Sequence, residues 1–138
     1  MPAAHAYCVD MSSAVERLAA EDYVSLTTFR RDGTGVPTTV WAAREGDALY
    51  VWTAAATGKV KRIRRRSDVT VAASSRSGHP RGEPVPATAE VLDAAGSART
   101  RQLIKKRYGW IGRIVVTMSV WRRGPEGSVG IRISFPAD

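Results

Sequence analysis

Residues 23–53 read YVSLTTFRRDGTGVPTTVWAAREGDALYVWT, and their punctuation decides the fold. Tyr23 to Phe29 is rich in β-branched and aromatic residues, and Asp32-Gly33 is a hairpin signal because glycine accepts positive φ at little cost. A partner strand follows from about Val36 to Ala43. Glu45-Gly46-Asp47 turns the chain again, and Ala48 to Thr53 forms a third strand. Three strands joined by tight turns make an antiparallel meander.

Upstream, Ser13 and Glu16 have the spacing of a capping box, with Val15, Leu18 and Ala19 giving a short helix one apolar face. Downstream, Thr57 is a candidate N-cap for a helix running to Arg66, whose Val60 and Ile63 point inward. Asp68 to Ala73 is a fourth strand, Ser74 to Pro84 a loop, and Val85 to Leu92 a fifth strand. Pro86 requires an edge or bulge in that strand. Ser97 to Tyr108 reads as helix. Residues 110–121 are β-branched, yet Ile111, Ile114, Val115, Met118 and Trp121 fall at helical spacing, which favours a helix. Residues 124–127 form a turn, and Ser128 to Phe135 alternates as a sixth strand. The expected class is α+β and mainly β: a barrel of antiparallel strands with flanking helices.

The 138 residues suit one domain, taken as 1–138. No apolar run has the roughly 18–20 residues of a membrane span. The N-terminus lacks the basic and apolar regions of a secretory signal, and the single Cys8 permits no internal disulfide. A cytoplasmic protein is expected. His5, His79 and Cys8 are too few and too scattered for a zinc site, so no metal is expected. The net charge is +8, and of the 21 basic residues only Lys59, Lys61, Lys105 and Lys106 are lysines. Such a field attracts anions: nucleic acid, anionic lipid or a phosphorylated small molecule.

The junction Tyr50-Val-Trp-Thr-Ala-Ala-Ala-Thr-Gly-Lys-Val-Lys-Arg62 narrows that choice. A helix start presents unpaired N–H groups and the positive end of the dipole. Thr53 and Thr57 add hydroxyls, Gly58 lets an anion approach the backbone, and Lys59 adds a full charge, which together make a phosphate site. Lys59, Arg62 and Arg66 share one helix face. Two blander readings compete: a solvated basic face, or a nucleic-acid tract. The tract lacks interleaved aromatics for stacking on single strands and matches no recognition motif, so no nucleic-acid partner is expected.

The ordered set YVSLTTF, RRDGTG, VPTTVWAAREGDALYVWT, GKVKRIRRRSDVTVAA, KKRYGWIG and IRISF resembles the pyridoxamine-phosphate-oxidase-like split barrels over residues 21–135. Within that group it is similar to the class assigned to coenzyme F420. The resemblance implies a six-stranded antiparallel split barrel of the flavin-binding type. It also implies a homodimer with cofactor sites in the grooves between subunits. Pro37, Thr38, Thr39, Val40 and Trp41 would then run along the deazaflavin ring. Thr53, Thr57 and Lys59 would hold its phosphate, with Gly58 at the close approach and Arg62 as an addition. The oxidase proper has an arginine where this chain has Gly58, and a basic residue opening its second-strand motif that has no counterpart here. Both departures argue against FMN and against pyridoxamine phosphate as substrate.

The implied activity is hydride transfer between F420 and a small organic substrate, with no membrane partner. Alternatives are an FMN-dependent oxidase or reductase on the same fold, and an F420 carrier without turnover. No side chain is assigned a catalytic role: Ser74-Ser75 and His79 match no nucleophile-elbow spacing. Glu83, Glu90 and Asp93 read as solvated. Tyr108 is a candidate proton donor. Trp41, Trp52, Trp110 and Trp121 read as core or dimer-interface residues, or, for Trp41 and Trp110, as walls of the cofactor pocket.

Overall fold

The structure, a computed structural model, describes residues 18–21, 23–75, 82–123 and 127–135. The capping box of Ser13 and Glu16, together with Val15, His5, Cys8, His79 and residues 124–126, lies outside them. Residues 18–20 are helical, and Leu18 is buried in the core.

Among the described residues seven strands form, β1 (Tyr23–Phe29), β2 (Gly35–Val40), β3 (Ala42–Glu45), β4 (Ala48–Ala54), β5 (Asp68–Ser74), β6 (Val85–Val91) and β7 (Ser128–Ser134). They make one sheet in the order β2-β1-β5-β6-β7-β4-β3, antiparallel at every pairing. Two helices interrupt them, α1 (Gly58–Arg65) and α2 (Ala94–Arg123).

The expected six strands are thus seven, because the second breaks at Trp41. Val40 pairs with Val24 of β1, whereas Ala42 pairs with Val51 of β4. Those ladders lie at opposite edges of the sheet, so the chain leaves one for the other at a single residue. No ladder joins β2 to β3 among the described residues, and the sheet stays open.

Period-two alternation fills the inside. Val24 and Leu26 face Ala73 and Val71, Leu49 and Val51 face Ile133 and Ile131, Val69 joins the same cluster, and α1 adds Val60 and Ile63. Each such side chain contributes roughly 1.5–3 kcal/mol by leaving water. Pro86 is tolerated because β6 pairs with β7 only from Thr88 onward, leaving its side of the strand free of that ladder.

A second, smaller cluster lies outside the sheet. Ile104 and Val116 of α2 pack on Ala43, with Trp41, Trp52, Leu103 and Tyr108 around them. Residues 110–121 are helical, as their spacing predicts, and the helix begins at Ala94. It breaks at Gly109, where φ is 62° and ψ is −139°. That left-handed φ suits glycine, which has no Cβ to clash. Arg99 pairs with Glu45 and ties the first half of α2 to β3. No helix among the described residues is long and apolar enough to cross a membrane.

Candidate functional site

The site grows from the junction of β4 and α1. After Ala54 the chain turns, and Thr57 takes the N-cap position with extended φ/ψ of −83° and 158°. Its hydroxyl does not cap the helix; it donates to the Ala54 carbonyl at 3.0 Å. Among the described residues no side chain caps the first turn, and no acidic residue sits in it.

Lys59, the second helical residue, is only 9% exposed. Its ammonium donates to the Thr53 Oγ1 at 2.9 Å, with no carboxylate paired to it among the described residues. Burial, and then the positive charge of Arg62, pull its pKa below the ordinary lysine value. A buried cation partnered by a neutral hydroxyl is costly to maintain, since desolvation is not matched by an opposite charge.

A cleft of about 430 Å³ opens over this cation. One wall comes from Tyr23 of β1 and from Thr38, Thr39 and Val40 of β2, ending in Trp41. Trp52, Thr53 and Ala54 of β4 form the other, and Thr57 and Lys59 close the end. Val115 and Ser119, one turn apart in the second half of α2, lie over it. The Trp52 Nε1 is buried without a hydrogen-bond partner among the described residues. No carboxylate or imidazole lines the cleft among them.

Of the residues assigned from sequence, Thr38, Thr39, Val40, Trp41, Thr53, Thr57 and Lys59 meet in this cleft. Pro37, Gly58 and Arg62 are not among its lining residues. Pro37 pairs with Thr27 further along β2. Arg62 turns to β1, its Nε donating to the wholly buried Thr28 hydroxyl at 2.7 Å. A Cβ at position 58 would lie 2.7 Å from the Arg62 Nη1, so glycine there leaves room for the guanidinium. Arg66 is held by Asp68 at 2.7 Å and lies over the Phe29 ring, 4.7 Å from its centroid. Lys61, Arg64 and Arg65 face solvent.

Sequence reasoning missed Tyr23, Trp52, Ala54, Val115 and Ser119. Nothing local marks the last two, because α2 meets β4 only through the tertiary fold. Tyr108 is a structural clamp: its hydroxyl donates to the Ala42 carbonyl at 3.1 Å and accepts from the Ala42 amide at 3.2 Å. Trp110 and Trp121 are 72% and 83% exposed, so neither belongs to the core of this chain. Asp93 accepts from the Gly96 amide at the start of α2, and Glu90 lies 4.0 Å from Arg132. Both carboxylates are solvent-exposed, as expected.

No family model matches the chain, and no curated protein does either. Solved structures do resemble it. An F420 reductase is 20% identical, with 88% of this chain and 93% of that one covered at a TM-score of 0.57. A candidate pyridoxamine 5'-phosphate oxidase of Listeria innocua is 15% identical, covering 89% and 90% at 0.60. The haem storage protein HutZ of Vibrio cholerae is 10% identical, covering 93% and 92% at 0.64. The likeness is one of fold alone, shared with structures no more than 20% identical.

Proposed function

We propose that this protein is an F420-dependent oxidoreductase, transferring hydride between a deazaflavin and a small organic substrate. The observation that carries the reading is Lys59, a buried ammonium without a counter-charge at the closed end of a cleft walled by two indoles. A phosphodiester oxygen supplies the absent charge. The volume falls within the roughly 300–1,000 Å³ of small-molecule sites, and the unpartnered Trp52 Nε1 leaves a donor for a polar ring atom. The fold shared with an F420 reductase supports the same cofactor class.

When bound, the deazaflavin supplies the hydride chemistry; the chain binds, orients and excludes water. Thr53, Thr57, Lys59 and the open first turn of α1 hold the phosphoryl group. Thr38, Thr39, Val40 and Trp41 flank the ring along β2, with Pro37 behind them, while Trp52 and Val115 keep water from it. Gly58 leaves room for the Arg62 guanidinium, which raises the local positive potential from outside the cleft lining. Lys61, Arg64 and Arg65, exposed on α1, meet the anionic tail of F420.

The protein acts as a homodimer. Trp110, Ile111, Ile114, Val115, Met118 and Trp121 expose a contiguous set of apolar side chains on α2, more than a single soluble chain ordinarily presents in one place. Val115 belongs both to this surface and to the cleft, so a second copy seated here borders the cofactor groove. Neither nucleic acid nor membrane enters this reading.

One observation favours a second reading, an F420 carrier without turnover: no carboxylate or imidazole faces the cleft among the described residues. Titration with F420 and with FMN, followed by tryptophan fluorescence, tests the cofactor. Saturable F420 binding supports the proposal; tight FMN binding with none of F420 overturns it. Reduced F420 offered with quinones and enones then separates enzyme from carrier, since a carrier binds without oxidation.

A further inference from the structure

A second cavity, of about 400 Å³, lies between the start of α2 and the start of β7. Leu92, Asp93 and Ala94 form its rim, Ser97 and Arg101 project from successive turns of α2, and Ser128 and Val129 complete it from β7. Ser128 is 3% exposed, and its hydroxyl is buried with no hydrogen-bond partner among the described residues. Nearly all buried hydroxyls in folded proteins are satisfied, so an orphan against a ligand-sized cavity points to a partner from outside the chain. Arg101 on the same cavity is half-buried and pairs with no carboxylate among the described residues.

The other polar groups are already engaged. Ser97 Oγ accepts from the Gly130 amide at 2.9 Å and lies 3.5 Å from the Leu92 carbonyl. The opening of α2 is closed by Asp93, which accepts from the Gly96 amide through Oδ1 and from the Ser97 amide through its carbonyl, at 2.9 and 2.8 Å. Recognition therefore falls to Arg101 and Ser128 and not to free helix amides.

We propose that this cavity binds a small monocarboxylic acid carrying a hydroxyl or ammonium group beside the carboxylate. The guanidinium of Arg101 matches a carboxylate through two parallel hydrogen bonds. The Ser128 hydroxyl bonds to the same end. The Asp93 carboxylate on the rim repels a second negative charge and accepts from a neighbouring donor, which sets phosphate and dicarboxylates at a disadvantage. Leu92, Ala94 and Val129 take a short carbon skeleton. Ser128 is the ladder partner of Ala54, which lines the first cleft, so the two cavities flank one rung of the sheet. The proposal stands apart from the cofactor reading and survives its failure.

The test is titration of the 15N-labelled full chain with L-lactate, L-alanine, acetate and inorganic phosphate, followed by amide chemical shifts. Saturable shifts centred on Ser97, Arg101 and residues 128–130 are expected, with lactate or alanine at least tenfold tighter than acetate and phosphate. Arg101→Lys, which keeps the charge and loses the two-pronged geometry, weakens binding at least tenfold. Ser128→Ala weakens it about fivefold while the melting temperature holds or rises, because the unpartnered hydroxyl is gone. Linear shifts without saturation, phosphate binding as tightly as lactate, or unchanged affinity in Arg101→Lys each overturn the proposal.

Discussion

The Trp41 indole stacks on the Tyr108 ring, centroids 4.3 Å apart and planes 11° from parallel. Trp41 is the residue at which the chain changes ladders, and Tyr108 is the last helical residue before the Gly109 break. The contact thus locks the two irregular points of the fold to each other. The Tyr108 hydroxyl reinforces it by bonding both backbone groups of Ala42.

Tyr108→Phe keeps the stack and removes both bonds to Ala42. The expected loss is roughly 1–3 kcal/mol, the usual cost of stranding partly buried polar groups. Urea unfolding measures it, and an unchanged midpoint refutes the clamp.

Lys59→Met separates binding from stability. Removing a buried, uncompensated ammonium holds or raises the melting temperature, while F420 affinity falls about 100-fold, equivalent to roughly 2.7 kcal/mol. Calorimetry and a fluorescence titration on the same preparation check both.

The pH dependence has a definite sign. Burial first, and Arg62 second, lower the Lys59 pKa in the folded chain below 10.5. Between that lowered value and the unfolded one, the unfolded chain binds more protons, so the Lys59 contribution to stability rises with pH. Anion affinity moves the opposite way, falling as the ammonium loses its proton. Thermal unfolding and F420 titration at stepped alkaline pH record both trends, and Lys59→Met flattens the Lys59 part of each.

Arg62→Met reverses the Lys59 pattern. It strands the wholly buried Thr28 hydroxyl, at a cost of roughly 1–3 kcal/mol, and changes F420 affinity less than Lys59→Met does. Gly58→Ala pushes the guanidinium from its seat and reproduces part of that loss. Paired denaturation and binding measurements on the variants distinguish the two residues.

If the proposed dimer forms through the apolar face of α2, Ile114→Ser with Trp121→Ser is expected to dissolve it. Both side chains are already exposed in the single chain, at 49% and 83%, so the fold of each subunit is retained. Sedimentation velocity reads dimer to monomer, and an unaltered circular dichroism spectrum confirms the fold. A wild-type chain that sediments as a monomer refutes the apolar face of α2 as the interface.

The sequence by itself determined the elements. Strand alternation from Tyr23 to Thr53, the helical spacing over 110–121, and the threonine, glycine and lysine at the opening of α1 are local signals, and local backbone preference obeys them. Tertiary structure decided the rest. Trp41 breaks a strand because its two sides pair with β1 and β4 at opposite edges of one sheet, an arrangement no short window encodes. Arg62 looks like a neighbour of Lys59 on a basic face, yet it is drawn to Thr28, 34 residues away. Lys59 looks like one cation among many, and becomes the centre of the candidate site only because the fold removes it from water without supplying an acid among the described residues. Charge is written in the chain, but desolvation belongs to the packed molecule.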